Sequence, residues 1–224
     1  DAPRPPPDPP VPLVTPGPWV VLGSSTAAGV GATPGQSWPN RLAATMASRP
    51  VVLHNLARAG NLTPQALPAS APASAPRPAP DPTLNLDRAL GFAPRLILLS
   101  FPTNDAVAGL SASETAANLD TLRRAAASTG SATVVMGSQP RAGLNAAQQA
   151  TLAELDRLLA AQAGSCFLPL HAALANPASS VEIAPAYAAG DGIHLNDAGH
   201  ARIRELLQAF LEAGRCVRLT APAG

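Results

Sequence analysis

The chain has 224 residues, of which 46% are hydrophobic and 13% are charged, and its formal net charge at pH 7 is +1. This length suits one substantial hydrophobic core, and the near-neutral charge without a run of Lys or Arg excludes nucleic acid and anionic membrane surfaces as partners. The longest apolar runs, such as residues 96–99, are too short to span a membrane. The chain opens on Asp1 and prolines, so no signal peptide is predicted in it, and a targeting segment is expected to have been removed.

Prolines divide the chain into three parts. The 26 prolines cluster, and those at the start indicate an extended leader over residues 1–18. A regular pattern follows, so we predict one domain over residues 19–216 and a short tail over residues 217–224. A second tract rich in Pro, Ala and Ser, at residues 67–82, has no periodicity and indicates a long surface loop.

From residue 19 onward, apolar runs alternate with amphipathic segments. The predicted strands cover residues 19–22, 51–53, 95–101, 132–137 and 166–170. The predicted helices cover residues 38–48, 84–92, 113–128, 145–163 and 197–213. This alternation predicts an α/β fold, a three-layer α/β/α sandwich with a five-stranded parallel sheet. Functional sites in such folds lie at the carboxyl ends of the strands.

The first strand ends in Gly-Ser-Ser-Thr-Ala-Ala-Gly, at residues 23–29. Ser25 would therefore lie at the carboxyl end of that strand, with its hydroxyl facing the crevice and its backbone N–H free for an oxyanion. The alternative interpretation is a serine-rich turn selected for tight backbone geometry.

Near the other end of the chain, Asp191 precedes His194 by three residues. The aspartate can accept a hydrogen bond from one ring nitrogen, which leaves the other nitrogen to take a serine proton. Two alternatives remain for this segment. It is either a helix N-terminus with an incidental histidine, or, together with Asp197 and His200, a set of nitrogen and oxygen metal ligands. Because His200 falls inside the final predicted helix, we expect it to pack or to face solvent and predict no metal or cofactor.

Four segments in order along the chain resemble the SGNH/GDSL hydrolases. The family's opening Gly-Asp-Ser matches Gly-Ser-Ser, its glycine block matches the segment that contains Gly60, its Gly-x-Asn-Asp block matches Pro-Thr-Asn-Asp with Asn104, and its closing Asp-x-x-His matches Asp191 to His194. Ser24 stands where the family has Asp, and Pro102 and Ala57 stand where it has glycine.

The resemblance implies a flavodoxin-like SGNH hydrolase fold and a serine ester hydrolase. By this resemblance Ser25 is the nucleophile, His194 its base and Asp191 the group that orients the base. The oxyanion hole would consist of the amides of Ser25 and Gly60 and the side chain of Asn104. Ser24 is expected to affect loop packing, while Pro102 and Ala57 would alter how closely a substrate approaches the backbone.

The substrate is predicted from what lies beside the triad in sequence. The Ala-rich loop 184–190 is expected to line the acyl pocket, and no long apolar flap is present, so we predict a short acyl ester, such as acetyl, of a carbohydrate or small alcohol. Trp38 and Tyr187 are the aromatic residues considered as platforms for a sugar ring. Two alternatives stay open, acyl transfer at the same residues and a catalytically silent carbohydrate-binding module.

The two cysteines, Cys166 and Cys216, are either unrelated buried thiols or a disulfide. The first is predicted at the start of a strand and the second just after the last helix, so a bridge is possible. We predict the disulfide for a secreted or periplasmic protein, and a monomer.

Overall fold

The computed structural model describes residues 10–72 and 75–222. The predictions that concern residues 1–9 of the leader, residues 73–74 of the Pro/Ala/Ser loop and residues 223–224 of the tail lie outside the described residues.

The predicted five-stranded parallel sheet is confirmed. Its strands are β1 (Gly17–Gly23), β2 (Val51–Asn55), β3 (Leu96–Ser100), β4 (Ala132–Met136) and β5 (Phe167–Leu168). They pair in the order β2-β1-β3-β4-β5, and each neighbouring pair is parallel. Because β2 and β3 flank β1, the direction of winding changes at β1. The crevice beyond the carboxyl end of this strand is where α/β folds of this kind place their ligands.

Nine α-helices are found among the described residues. They are α1 (Ser25–Ala28), α2 (Trp38–Met46), α3 (Thr63–Ala66), α4 (Leu86–Leu90), α5 (Asn104–Val107), α6 (Ala112–Ser128), α7 (Ala146–Ala163), α8 (His171–Leu174) and α9 (Asp197–Glu212). A small antiparallel hairpin, β6 (Ala175–Asn176) with β7 (Ser179–Ile183), was not predicted. The fifth strand is shorter than predicted because Pro169 follows it and has no N–H to donate to a ladder.

Alternate residues of each central strand enter two separate cores. Trp19 and Val21 of β1 pack in one core with α2 and α9, while Val20 and Leu22 pack in the other with α6 and α7. All four side chains are fully buried. Helices therefore cover both faces of the sheet, which explains why its inner strands β1, β3 and β4 are largely apolar in the sequence.

The described part of the leader packs against the domain and the tail. Leu13 pairs with Arg218 in a parallel bridge, and Val14 donates its N–H to the Arg218 carbonyl at 3.0 Å. The indole of Trp19 donates to the Val14 carbonyl at 2.9 Å, and Val14 is buried. Strand β1 begins at Gly17, inside the segment predicted as leader.

Cys166 and Cys216 form a disulfide with a Cα–Cα distance of 4.8 Å, as predicted. The bond joins the turn before β5 to the segment after α9. No helix in residues 10–72 and 75–222 combines the length and the apolar character needed to span a bilayer.

Candidate active site

Ser25 is the first residue of α1, directly beyond the carboxyl end of β1. The Ser24 N–H continues the pairing with β3 by donating to the Ser100 carbonyl at 3.1 Å. A Cβ on Gly23 would lie 2.5 Å from that same carbonyl oxygen, so glycine is required for this close approach. The N–H of a first helical residue has no acceptor within its helix. Ser25 is partly exposed at this end of the strand.

Asp191 and His194 form a hydrogen-bonded pair. Asp191 Oδ2 accepts from His194 Nδ1 at 2.6 Å, while its Oδ1 accepts the backbone N–H groups of Ile193 and His194, each at 2.8 Å. These bonds, first of all the one from the His194 backbone, lower the pKa of Asp191 to about 2. The carboxylate is therefore ionised at neutral pH, and it holds the proton on Nδ1 and leaves Nε2 free to accept another.

The segment after Ser25 lies directly against the segment that carries His194. A Cβ on Gly31 would lie 2.3 Å from the Leu195 carbonyl oxygen and 3.1 Å from the Cβ of His194. Two residues further on, Thr33 donates its N–H and its hydroxyl to the carboxylate of Asp197, at 2.7 and 2.8 Å. The segment that follows Ser25 and the segment that carries His194 therefore meet at one edge of the sheet.

His200 has a structural role in the same contact. Its Nδ1 accepts the Trp38 N–H at 3.2 Å, so Nε2 carries the proton and donates to the Val30 carbonyl at 3.3 Å. The side chain is fully buried, and burial lowers its pKa. His200 and Asp197 thus bind the chain itself, and no group of three or more His, Cys, Asp or Glu residues in the described ranges is arranged to hold a metal ion.

Gly60 and Asn104, two of the three residues predicted for the oxyanion hole, lie in segments that are hydrogen-bonded to each other. Asn104, the first residue of α5, donates from Nδ2 to the Asn61 carbonyl at 3.2 Å. Asn61 in turn donates from its own Nδ2 to the Gly23 carbonyl at 3.2 Å. Gly60 adopts a φ of +83°, a left-handed conformation in which glycine is favoured. This chain of bonds attaches the Gly60 and Asn104 loops to the end of β1.

Asp105, next to Asn104, joins three helices beneath these loops. One carboxylate oxygen accepts the Thr63 N–H at 2.9 Å, and the other accepts the hydroxyls of Thr63 and Thr115, the latter at 3.0 Å. The side chain is buried, and burial raises its pKa above the usual range for Asp. Asp105 is therefore a structural anchor that places Asn104.

Gln139 connects α1, which begins at Ser25, to the segment that carries His194, and it was not predicted. Its Oε1 accepts the Thr26 hydroxyl at 2.8 Å, and its Nε2 donates to the Ile193 carbonyl at 2.8 Å. The residue is 2% exposed. Because its two partners precede and follow it by 113 and 54 residues in the chain, no local sequence signal indicates this role.

Two further residues of the same loop contact the site and were also not predicted. Arg141 Nη1 donates to the Thr103 hydroxyl and to Asn104 Oδ1, each at 3.1 Å. The N–H of Ala142 donates to the Gly192 carbonyl at 2.9 Å. Residues 138–142, which we call the bridging loop, thus contact α1, the Asn104 loop and the segment that carries His194.

The bridging loop is anchored at its start by Ser138. The Ser138 N–H and hydroxyl donate to the two carboxylate oxygens of Asp156 on α7, each at 2.8 Å, and the hydroxyl lies 3.0 Å from His171 Nδ1. The other ring nitrogen of His171 lies 2.9 Å from the Ser180 carbonyl on the hairpin. Ser138 therefore links the start of the bridging loop to α7 and to His171 of α8, and His171 in turn contacts β7.

The two aromatic residues considered as platforms for a sugar ring differ in their exposure to solvent. Trp38 is fully buried as the first residue of α2, so the interpretation of this side chain as a sugar platform is wrong. Tyr187 is partly exposed in a turn whose carbonyl accepts the Asn196 N–H at 2.9 Å. In the same loop, Ala189 donates its N–H to the His194 carbonyl at 2.9 Å. Loop 184–190 therefore lies beside His194, and its role as a wall of the acyl pocket stays a prediction.

A match to the model of the GDSL-like lipase/acylhydrolase family covers residues 21–202. The chain belongs to this family and is a serine ester hydrolase of it. The match includes every segment on which the resemblance was based. No match was found among curated proteins.

Solved structures with the same fold include three named enzymes. The esterase EstA from Pseudoalteromonas sp., inhibited by monoethylphosphonate, is 16% identical with a TM-score of 0.63, over 86% of this chain and 95% of that one. TesA is 18% identical with a TM-score of 0.67, over 88% and 98%. A mutant of Axe2, an acetyl-xylooligosaccharide esterase from Geobacillus, is 13% identical with a TM-score of 0.62, over 88% and 95%. At these identities the similarity supports the fold.

Proposed function

We propose that this chain hydrolyses short-acyl esters, in particular acetyl esters of a carbohydrate or small alcohol, through an acyl-enzyme on Ser25. The observation that carries this proposal is the 2.6 Å bond between Asp191 and His194, held in a segment that packs directly against the chain following Ser25. This arrangement supplies an oriented imidazole at the strand end where a serine hydroxyl is available.

In the proposed reaction, Ser25 Oγ attacks the ester carbonyl carbon while His194 Nε2 accepts the hydroxyl proton. The charge that develops on the imidazolium is stabilised by the ionised Asp191. The tetrahedral intermediate then breaks its bond to the alcohol oxygen, which takes the proton from His194 as it leaves. A water molecule repeats the two steps on the acyl-serine ester and releases the acid.

The oxyanion of each intermediate would be bound by the amides of Ser25 and Gly60 and by Nδ2 of Asn104. Only one N–H of that Nδ2 group is used by the Asn61 carbonyl, so the second is available. Donors that are fixed before the reaction stabilise the developing charge without reorganisation, which is usually the largest contribution to catalysis.

The preference for a short acyl group is inferred from loop 184–190. This loop supplies mainly alanines beside His194, and the Cβ of Ala189 lies 3.2 Å from the position of a Cβ on Gly31, which indicates a closely packed wall. Tyr187 is the partly exposed aromatic residue of that loop, suited to stacking on a sugar ring. The fold shared with an acetyl-xylooligosaccharide esterase agrees with this choice.

We also infer that the protein works outside the cytosol. The disulfide between Cys166 and Cys216 supports this inference, because such bonds persist in oxidising compartments and are rare in the cytosol.

The proposal is tested by a series of p-nitrophenyl esters from acetate to dodecanoate, measured beside acetylated polysaccharides. We expect the highest kcat/KM for acetate or propionate, and a preference for octanoate or longer would contradict the acyl assignment. Ser25→Ala should abolish turnover and labelling by a serine-directed phosphonate, whereas Ser70→Ala, an exposed serine, should leave both unchanged. Labelling at another serine would overturn the assignment of the nucleophile.

A further inference from the structure

Arg141 reaches the predicted oxyanion hole from the bridging loop. Its Nη1 donates to Asn104 Oδ1 and to the Thr103 hydroxyl, each at 3.1 Å. The backbone on both sides is held, because the Arg141 carbonyl accepts from Gln149 Nε2 on α7 at 3.2 Å and the Ala142 N–H donates to Gly192. The guanidinium therefore comes from a fixed loop.

The side-chain amide of Asn104 can act in an oxyanion hole in only one orientation. The oxygen and nitrogen ends of an amide have nearly the same size, so packing alone does not distinguish them, and a flipped amide would direct a carbonyl oxygen at the oxyanion. Here one end faces the guanidinium of Arg141, which can only donate, and the other faces the Asn61 carbonyl, which can only accept. Both hydrogen bonds can form only in the orientation in which Nδ2 of Asn104, and not Oδ1, faces the oxyanion.

We propose that Arg141 is a positioning residue of the active site, which holds the Asn104 amide with its N–H toward the oxyanion and polarises it. This inference rests on the proposed function, because it requires Asn104 to bind the oxyanion. Arg141 acts through Asn104 and does not need to touch the substrate.

The charge of Arg141 strengthens this effect. Among the ion pairs found in residues 10–72 and 75–222, none includes Arg141, so a carboxylate does not neutralise it at contact distance. Its side chain is partly buried, burial lowers its pKa, and the more distant Asp191 carboxylate acts against that effect, so the cation is only partly compensated and polarises the groups it binds. A cation donating to the amide oxygen draws electron density from the nitrogen, which makes the remaining N–H a better donor to a developing negative charge.

The test compares Arg141→Met and Arg141→Lys in the wild-type and Asn104→Ala backgrounds. In the wild-type background, Arg141→Met should lower kcat on the order of tenfold to a hundredfold with less than about a threefold change in KM. Arg141→Lys, which keeps a charged donor, should recover part of the loss. In the Asn104→Ala background, Arg141→Met should have no further effect on kcat, because the residue through which it acts is absent.

Two results would overturn the proposal. Equal loss of kcat in both backgrounds would show that Arg141 acts independently of Asn104, and a large rise in KM with unchanged kcat would assign it to substrate binding. Arg124→Met is the matched control, since this arginine is 80% exposed on α6 and should leave kinetics unchanged. Phosphonate labelling of Ser25 in the wild type separates the two proposals, because its absence contradicts the proposed function itself. A thermal scan of each variant shows that the comparison is made on folded protein.

Discussion

The hydroxyl of Thr26, next to Ser25, donates to Gln139 at 2.8 Å, and through the same side-chain amide Gln139 donates to the carbonyl of Ile193, next to His194. A buried glutamine thus couples the two segments that a serine hydrolase must hold at a fixed separation. Neither Thr26 nor Ile193 carries chemistry itself. Their bonds to one side chain make Gln139 one of the contacts that fix the position of Ser25 relative to His194.

Replacing Gln139 by Met should impair both stability and turnover. The change keeps the approximate size but leaves the Thr26 hydroxyl and the Ile193 carbonyl without their buried partner, at a cost of about 1–3 kcal/mol in the free energy of unfolding. Because the coupling between the segments is lost, kcat should fall as well. Urea unfolding and steady-state kinetics measure the two effects. Gln162→Met, at an exposed position of α7, is the control, and equal stability of the two variants would contradict the role of Gln139.

Asn104→Ala should lower kcat at least a hundredfold, because loss of one oxyanion donor costs about 3–4 kcal/mol of transition-state stabilisation. Protein yield and melting temperature should change little, since the Asn61 loop keeps its separate bond to Gly23. The measurement is kcat on a p-nitrophenyl ester together with a thermal melt. A variant with normal kcat would remove Asn104 from the mechanism.

Asp191→Asn should reduce kcat on the order of 10⁴-fold at every pH from 4 to 9. The asparagine oxygen can still accept the backbone N–H groups, but its NH₂ group would then face His194 Nδ1 and shift the ring proton to Nε2, the nitrogen that must accept from serine. Since the pKa of Asp191 is about 2, the wild-type carboxylate stays charged throughout this range, and the acid limb of the rate profile does not arise from it. Glu205→Gln, an exposed carboxylate on α9, is the control. Recovery of activity in Asp191→Asn at any pH would contradict this account.

His200 should make the protein less stable in mild acid. Burial lowers its pKa in the folded state below the ordinary value of 6.5, so as pH falls below about 6.5 the unfolded state binds a proton that the folded state does not. The contribution of His200 to the free energy of unfolding is therefore fully present above this pH and decreases as the pH falls below it. Among the nearby charged groups, Asp197 raises this pKa, while Arg41 and His194 lower it. Urea unfolding of wild type and His200→Gln from pH 7.5 to 5 should show the flatter dependence in the variant, and parallel curves would disprove the assignment. His54→Gln serves as a histidine control.

Breaking the Cys166–Cys216 disulfide should destabilise the fold without altering the chemistry. The bridge spans 50 residues, and closing a loop of that length in the unfolded chain corresponds to about 4 kcal/mol. We expect a loss of this order in urea unfolding on reduction, or on combining Cys166→Ser with Cys216→Ser. In the folded variant kcat should be unchanged at 25 °C. If reductant lowered the stability of the double variant too, the effect would not come from this bond.

The sheet and the main helices could be predicted from sequence because their signals are local. The inner strands β1, β3 and β4 are largely buried on both faces and are therefore apolar runs, whereas the edge strand β2 is partly exposed and ends in His54 and Asn55. The side chains of Ser111, Asn145 and Asn196 accept backbone N–H groups at the starts of α6, α7 and α9, where such residues are typical caps. The small hairpin was missed because one of its strands has only two residues and shows no alternation.

The position of Ser25 after β1 and the bond between Asp191 and His194 were predictable because a short pattern carries each of them, while their catalytic roles stay predictions. Gln139 and Arg141 could not be found in this way, because their partners are distant in the chain and a single polar residue after a strand indicates nothing specific. Trp38 was misjudged for the complementary reason. An aromatic side chain in a sequence does not show whether it faces solvent or the core, and here it is buried in the core.

The segments that contain Leu13 and Arg218 pair at the end of the sheet opposite Ser25. The hydroxyls of Thr15 and Thr220 are 2.9 Å apart, and Gly17 donates to the Pro50 carbonyl just before β2, so these two segments lie together at the edge where β1 and β2 begin. Ser25 lies beyond the other end of β1. An enzyme immobilised on a resin through either segment would therefore present its catalytic crevice away from the support.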